Sequence, residues 1–122
     1  MWNVEERTEW GKTVVHDDVL QAIAARAVLA VPGVVQMSQH GIGDNLNSLV
    51  RHELLNRGVR VSETGDGHYA IDLYIVVQYG MRMAQVGRQI GYEVNAALHE
   101  AVGAFPDQIT IHVEGVRVVG EK

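Results

Sequence analysis

Two short segments come close to motifs that do chemistry, and one of them is a near match to a zinc site. The pentapeptide HELLN, from His52 to Asn56, is one residue away from the H-E-x-x-H pattern, in which two histidines one helical turn apart hold zinc. Asn56 stands where the second histidine is required, and asparagine is a poor zinc ligand. The pattern therefore favours a solvated helix face. The six histidines show no pair at ligand spacing within one element.

The second segment, GIGDNL from Gly41 to Leu46, begins like a phosphate-binding G-x-G-x-x-G loop. Leu46 replaces the third glycine, and Asp44 would put a negative charge where a phosphate should bind. We interpret the segment as a turn followed by a helix N-cap. The phosphate loop G-x-x-x-x-G-K-[ST] does not occur in the sequence.

Asp72 and His112 are the remaining pair that could act together. Asp72 lies in the strand-like run IDLYIVVQYG, and His112 lies in QITIHVEGV. If these strands are neighbours, the pair could bind a metal or transfer protons, provided that a pocket lies above it. The commoner case is a polar cross-strand pair worth under about 1 kcal/mol. We keep the small-ligand or metal site as an alternative.

The composition limits the class of function. A chain of 122 residues with 47% hydrophobic content suits one domain with one core. The absence of cysteine excludes disulfides and thiolate chemistry, which fits a cytoplasmic protein. A net charge of −5 is a poor basis for binding a phosphate backbone, so we expect no nucleic-acid partner. The apolar stretches are too short to span a bilayer, so we expect no direct membrane insertion.

The hydrophobic spacing predicts the element order β-α-β-(α)-β-β-α-β. In this interpretation residues 1–10 form a loosely held N-terminal arm and residues 11–119 form a single domain. The first helix begins after a capping aspartate, Asp17 or Asp18, and stops at Pro32-Gly33. A less regular helix is predicted over residues 45–57.

The strongest helical pattern lies in MRMAQVGRQIGYEVNAALHEAV, from Met81 to Val102. Gly87 and Gly91 interrupt it, and each costs roughly 1 kcal/mol relative to alanine. We expect a close approach of helix to sheet to compensate. Upstream, the sequence Gly65-Asp66-Gly67 predicts a hairpin between two strands.

Side-chain alternation divides the two clearest strands between two faces. The inward set is Ile71, Leu73, Ile75, Val77, Ile109, Ile111 and Val113. The outward set, which we call the sheet-face patch, is Asp72, Tyr74, Val76, Gln78, Thr110, His112 and Glu114. The sequence thus predicts an α+β fold, a two-layer sandwich. Two main amphipathic helices pack on one face of a mixed β-sheet, and the other face is open.

The sheet-face patch has the composition of a contact surface, because nothing in the sequence forms a pocket there. Ordinary β-forming residues on a wet sheet explain the same pattern equally well. RNA binding on this face would need aromatic residues with interleaved basic ones. Asp72 and Glu114 stand there instead.

Three segments together resemble the alkaline shock protein family of bacterial envelope stress response proteins. They are EWGKTVVHDDVLQAIAARAVLAVPGVVQM, IDLYIVVQYGMRM and ITIHVEGVRV. The matching features are the G-K strand before D-D-V, the V-P-G-V helix end, the D-L-Y-I-V-V-x-Y-G strand and the closing H-V-E-G-V. They span Trp10 to Val118. The chain departs from the family pattern at Met83 and Ala84, where Ile-Pro is common, and in the variable region from Leu46 to Arg57.

The resemblance implies a cytoplasmic, non-enzymatic protein of cell-envelope homeostasis, without catalytic residues and without a cofactor. It also implies self-association and gathering at the membrane through a small membrane-spanning partner. We therefore expect an interaction or scaffolding protein of the envelope stress response that uses the sheet-face patch. Small-ligand, metal or RNA binding on the same face are the alternatives.

Overall fold

The computed structural model describes residues 3–38, 58–65 and 67–119, within which eight elements are assigned. The strands are β1 (Asn3–Thr8), β2 (Gly11–His16), β3 (Val34–Met37), β4 (Val59–Gly65), β5 (His68–Gln78) and β6 (Gln108–Arg117). The helices are α1 (Asp17–Leu29) and α2 (Met83–Val102). The helix predicted over residues 45–57 lies outside the described part of the chain.

Strand β5 is the centre of the main sheet. It pairs in parallel with β6 along residues 70–78, which occupies one of its two edges. β3 and β4 are both antiparallel to β5 and pair with successive parts of its other edge. The mixed sheet that the sequence predicts is therefore confirmed, and β5 is the strand that connects all its parts.

The helices cover one face of this sheet, as predicted. Every second residue of β5 from Tyr69 to Val77 is almost fully buried, because α1 and α2 pack over that side. α2 buries one residue per helical turn, a spacing that follows its 3.6-residue period. These residues are Val86, Ile90, Val94, Leu98 and Val102. The α+β fold is thus built around β5 and the two helices.

Three local details differ from the sequence-based expectation. Within the predicted arm, residues 3–8 are not loosely held, because they form β1, which pairs with β2 in an antiparallel hairpin. Gln21 of α1 is buried and donates from Nε2 to the carbonyl of Val59 at 3.0 Å, although its type suggests an exposed position. Val113 faces the helix side beside Ile75 but is 40% exposed, since β6 pairs only with β5 among the described residues.

The close approach expected at the two helical glycines is absent at one of them. A Cβ at Gly91 would have open space around it, and a Cβ at Gly87 would make an ordinary contact of 3.8 Å with Ile111. Neither glycine is therefore required by the packing of α2. Among the described residues, no helix is long and apolar enough to cross a membrane.

Candidate functional site: the open face of the sheet

The open face of the sheet is built from three rows of outward side chains. β5 gives the central row, Asp72, Tyr74, Val76 and Gln78. β6 gives one flank, in which Thr110 pairs with Asp72 and His112 pairs with Tyr74. β4 and β3 give the other flank, in which Arg60 pairs with Asp72 and Gln36 with Val76. The register thus brings residues together that are far apart in sequence.

Tyr74 and His112 form the centre of this face. Their rings are stacked, with centroids 4.4 Å apart and planes inclined by 6°. The guanidinium carbon of Arg60 lies 5.9 Å from the centroid of the Tyr74 ring, within the range of a cation–π contact. His112 Nε2 lies 3.1 Å from Asp72 Oδ1. The four side chains form one connected unit across β4, β5 and β6.

Two further side-chain hydrogen bonds cross the same face, on either side of Val76. Ser38 Oγ donates to Glu114 Oε1 at 2.8 Å, and Arg117 Nη1 donates to Gln36 Oε1 at 3.0 Å. Both join the chain on one edge of β5 to the strand on the other. The two hydrogen bonds restrain the outward side chains that they join.

A β-bulge accounts for the reach of Glu114. The register of β6 against β5 shifts between Ile75 and Val76, which leaves Glu114 without a residue opposite it on β5. A bulge re-aims the side chain of its extra residue. After the bulge, Gly115 pairs with Val76 and Arg117 pairs with Gln78. Arg117 therefore lies on the outward face.

The structure places all seven predicted residues near this face, but with unequal exposure. Asp72 and His112 meet, as alternation and strand pairing suggested. Tyr74 is only 9% exposed, so it mainly supports the His112 ring. Thr110 accepts a hydrogen bond from Gln108 Nε2 at 3.2 Å. Val76 and Gln78 are half-buried.

Four members of the network were not found by sequence reasoning: Gln36, Ser38, Arg60 and Arg117. Arg60 could have been found, because the Gly65–Gly67 hairpin fixes which β4 residue lies opposite Asp72. Ser38 could not, since its partner Glu114 depends on a bulge that leaves no sequence signal.

The small-ligand or metal alternative requires a third ligand or a pocket above the Asp72–His112 pair. The Asp72–His112 pair supplies two ligands, and the described residues contain no group of three His, Cys, Asp or Glu that could hold a metal ion. Two cavities of about 350 Å³ each are lined by other residues. One lies at the start of α2 and the other between α1 and α2. Neither lies above the Asp72–His112 pair.

A second polar cluster joins the β4–β5 hairpin to the start of β6. Thr64 Oγ1 donates to one oxygen of Asp107 at 2.8 Å, and His68 Nδ1 lies 3.1 Å from the other. The hydrogen bond from Thr64, and then that from His68, hold the pKa of Asp107 below its usual range. Sequence reasoning missed this cluster because its members are ordinary surface residues.

Tyr69 lies beside this cluster, on the helix side of β5. Its hydroxyl donates to the Ala104 carbonyl at 2.8 Å. Burial, and then the negative charge of Asp107, raise the pKa of Tyr69 to about 12. The arrangement fixes the loop between α2 and β6 and is best explained as structural.

Comparisons with known proteins agree with the resemblance noted in the sequence. The model of the alkaline shock protein family matches residues 5–118, and the family is described as having a cell envelope-related function. The uncharacterized protein YloU of Bacillus subtilis (strain 168) is 32% identical over 117 residues, covering 95% of this chain and 97% of that protein. The uncharacterized protein Spy1614 of Streptococcus pyogenes serotype M6 is 33% identical over 119 residues, covering 97% and 98%.

Among solved structures, a tryptophan-to-alanine variant of the MamM CTD is similar in fold. It aligns with a TM-score of 0.52 and 20% sequence identity, covering 88% of each chain. At this identity the likeness concerns the arrangement of the backbone alone.

Proposed function

Because this chain belongs to the alkaline shock protein family, whose function is cell envelope-related, we propose that it is a non-enzymatic scaffolding protein of the envelope stress response. It acts through protein–protein contacts made by the sheet-face patch. The observation that carries this proposal is the connected unit of Arg60, Tyr74, His112 and Asp72 on an open sheet face.

The order of the sheet face supports a binding role for it. Side chains that are already fixed lose little conformational entropy when a partner binds, which leaves more of the interaction energy for affinity. The stacked rings, the Asp72–His112 pair and the bonds made by Glu114 and Arg117 fix the face before any partner arrives. An exposed imidazole on a flat aromatic support can also donate or accept hydrogen bonds.

The mixture of groups supports a protein partner. Val76 gives an apolar centre, Tyr74 and His112 give aromatic area, and Asp72 and Arg60 give charges of both signs. Protein interfaces combine an apolar centre with a polar rim and are enriched in aromatic residues and arginine. A nucleic-acid surface requires an excess of basic residues, which this acidic chain does not provide.

The partners we propose are further copies of the chain and a small membrane-spanning protein. The chain would then act in the cytoplasm and gather at the membrane through that protein. The resemblance to alkaline shock proteins supports this arrangement, and it assigns no cofactor and no catalytic residue.

The test is a mild-crosslink pull-down of the tagged protein from its source cells. The test variant combines His112→Ala with Asp72→Asn, which removes the imidazole and the negative charge and keeps Tyr74. The matched control is Tyr92→Ala, because Tyr92 is an exposed aromatic on α2, on the helix side of the sheet.

We expect the wild-type chain and the control to recover a small membrane-spanning protein and the test variant to lose it. Equal recovery by all three chains would contradict the assignment of the surface. Recovery of soluble metabolic enzymes or ribosomal components alone would contradict the envelope role.

A further inference from the structure

Trp10 is the most exposed large hydrophobic side chain among the described residues. It is 89% exposed in the two-residue turn between β1 and β2. Its backbone N–H donates to Thr8 Oγ1 at 3.1 Å, so the turn that presents the indole is ordered. A tryptophan buries roughly 150–250 Å² of surface when it is covered, which makes it a strong anchor for a contact.

The hairpin presents Trp10 away from the core. β1 and β2 pair with each other and, in the described part of the chain, with no other strand. Val15, near its root, packs against the hydrophobic core, while the residues around the tip are exposed. A two-stranded hairpin on its own is marginally stable in water, so a partner at the tip would stabilise it.

A cavity at the start of α2 has the properties that an indole requires. Its volume is about 350 Å³, within the range of small-ligand pockets. It is lined by Pro32, Met81, Arg82, Gln85, Val86 and Gln89. Pro32, Met81 and Val86 offer apolar walls, while the two amides can accept the indole N–H. We call it the Met81 cavity.

Charge adds to the match between the hairpin tip and the cavity. Glu9 precedes Trp10 in the turn, and Arg82 lines the Met81 cavity. Among the described residues, neither has an ion-pair partner within 4.0 Å. An arginine beside the cavity can also form a cation–π contact with an inserted indole. The tip and the cavity thus match in size, polarity and charge.

We propose that Trp10 of one copy inserts into the Met81 cavity of a second copy, with Glu9 of the first facing Arg82 of the second. This inference rests on the self-association included in the proposed function and assigns it to a surface other than the sheet-face patch.

The hairpin tip and the Met81 cavity are different surfaces of one copy. The hairpin joins the first residue of α1, and Pro32 of the Met81 cavity follows its end. A helix of 13 residues is about 20 Å long, so the root of the hairpin and the cavity lie at opposite ends of α1. Copies that join in this way either exchange their hairpins reciprocally in a two-fold dimer or associate head to tail in a ring or filament.

The first test is sedimentation of the purified full chain over a range of concentrations. Trp10→Ala should raise the concentration needed for association by about tenfold or more, because truncating an anchoring tryptophan costs about 1.4 kcal/mol or more. Tyr92→Ala is the matched control and should leave association unchanged. A wild-type chain that stays monomeric, or a Trp10→Ala chain that associates like wild type, would overturn the proposal.

The second test mixes two defective chains. Trp10→Ala keeps the cavity and lacks the anchor, whereas Gln85→Trp fills the cavity and keeps the anchor. At the lowest concentration at which the wild-type chain associates, each variant alone should stay monomeric, and the mixture should form 1:1 dimers and nothing larger. A mixture that stays monomeric, or that grows beyond dimers, would overturn the contact between Trp10 and the Met81 cavity.

Charge reversal gives a third readout and separates this inference from the sheet-face proposal. Glu9→Arg and Arg82→Glu should each weaken association, and the double variant should restore it; failure to restore it counts against the ion pair. The His112→Ala, Asp72→Asn chain should associate like wild type. If that chain loses association, the self-contact belongs to the sheet-face patch.

Discussion

The imidazole of His112 lies flat against the ring of Tyr74, with the centroids 4.4 Å apart, although helix α2 separates their two strands in sequence. The parallel pairing of β5 and β6 places them directly opposite each other. Asp72 then contacts the imidazole from the side and Arg60 lies over the tyrosine. The stack fixes the centre of an otherwise ordinary sheet surface, and the proposed function depends on it.

The acid dependence of stability should depend on Thr64. Its hydroxyl is the largest cause of the lowered pKa of Asp107. A carboxylate with a lowered pKa contributes stability above its unfolded pKa of about 3.9 and loses it as the pH falls through the folded value. Thr64→Val should therefore be less stable than wild type at pH 6, and the difference should shrink toward pH 2.

Urea unfolding from pH 2 to pH 6 measures this difference. Thr13→Val, another exposed strand threonine, is the control and should follow the wild-type curve. Parallel curves for Thr64→Val and wild type across the whole range would show that Asp107 is not stabilised by Thr64.

The alkaline limit of stability should depend on Tyr69. Its pKa is raised from 10.0 to about 12 in the folded protein. Because the pKa of Tyr69 is raised on folding, the stability that its protonated hydroxyl contributes is complete below pH 10. As the pH rises toward 12, roughly 2–3 kcal/mol of that stability is lost. Tyr69→Phe should lack this alkaline loss. It should also be about 0.5–1.5 kcal/mol less stable at pH 8, because the bond to the Ala104 carbonyl is removed.

Chemical unfolding between pH 8 and pH 11.5 tests the role of Tyr69. The exposed Tyr79 provides the control, since Tyr79→Phe should not change the pH profile. An unchanged alkaline decline in Tyr69→Phe would assign that decline to another group.

Gly91→Ala should stabilise the protein. A Cβ at this position meets nothing within 4 Å, so alanine fits without a clash. Removing a helical glycine lowers the entropy of the unfolded chain and is worth about 0.5–1 kcal/mol. A rise of that size in the free energy of unfolding is expected, measured by urea titration. A loss of stability would show that α2 is closer to its neighbours than the structure indicates.

Gly58→Ala should destabilise the protein, and Gly103→Ala gives the matched comparison. Both glycines have similar positive φ values, +75° and +78°. A Cβ at Gly58 would lie 2.8 Å from the Ser38 carbonyl oxygen, whereas one at Gly103 would meet nothing within 4 Å. Both variants lose about 1–2 kcal/mol to the left-handed backbone, and Gly58→Ala should lose at least about 1 kcal/mol more. Equal losses would contradict the crowding at Gly58.

Much of the architecture could be predicted because it follows from side-chain periodicity. The alternation in β5 predicted both of its faces, and the helical spacing predicted the buried stripe of α2. β1 could not be predicted in the same way, because NVEERT is mostly polar and its pairing with β2 depends on the turn at Glu9 and Trp10.

The candidate site could be predicted in part. Alternation placed Asp72 and His112 on one face, and strand pairing then brought them together. The burial of Tyr74 could not be predicted, because it requires the His112 ring and the Arg60 chain to lie over it at once. The contact between Ser38 and Glu114 depends on a bulge, and the exposure of Val113 depends on its place on an outer strand.

Site-specific photo-crosslinking in the source cells shows directly whether the sheet-face patch contacts a membrane-spanning protein. A photo-reactive phenylalanine analogue replaces Gln78 or Thr110 on the sheet face, or Tyr92 on α2 as the control. We expect both sheet-face positions to crosslink the same small membrane-spanning protein, His112→Ala to abolish these adducts, and Tyr92 to give none. Adducts to that protein from Tyr92 alone would contradict a contact through the sheet-face patch, as would sheet-face adducts that persist unchanged without His112.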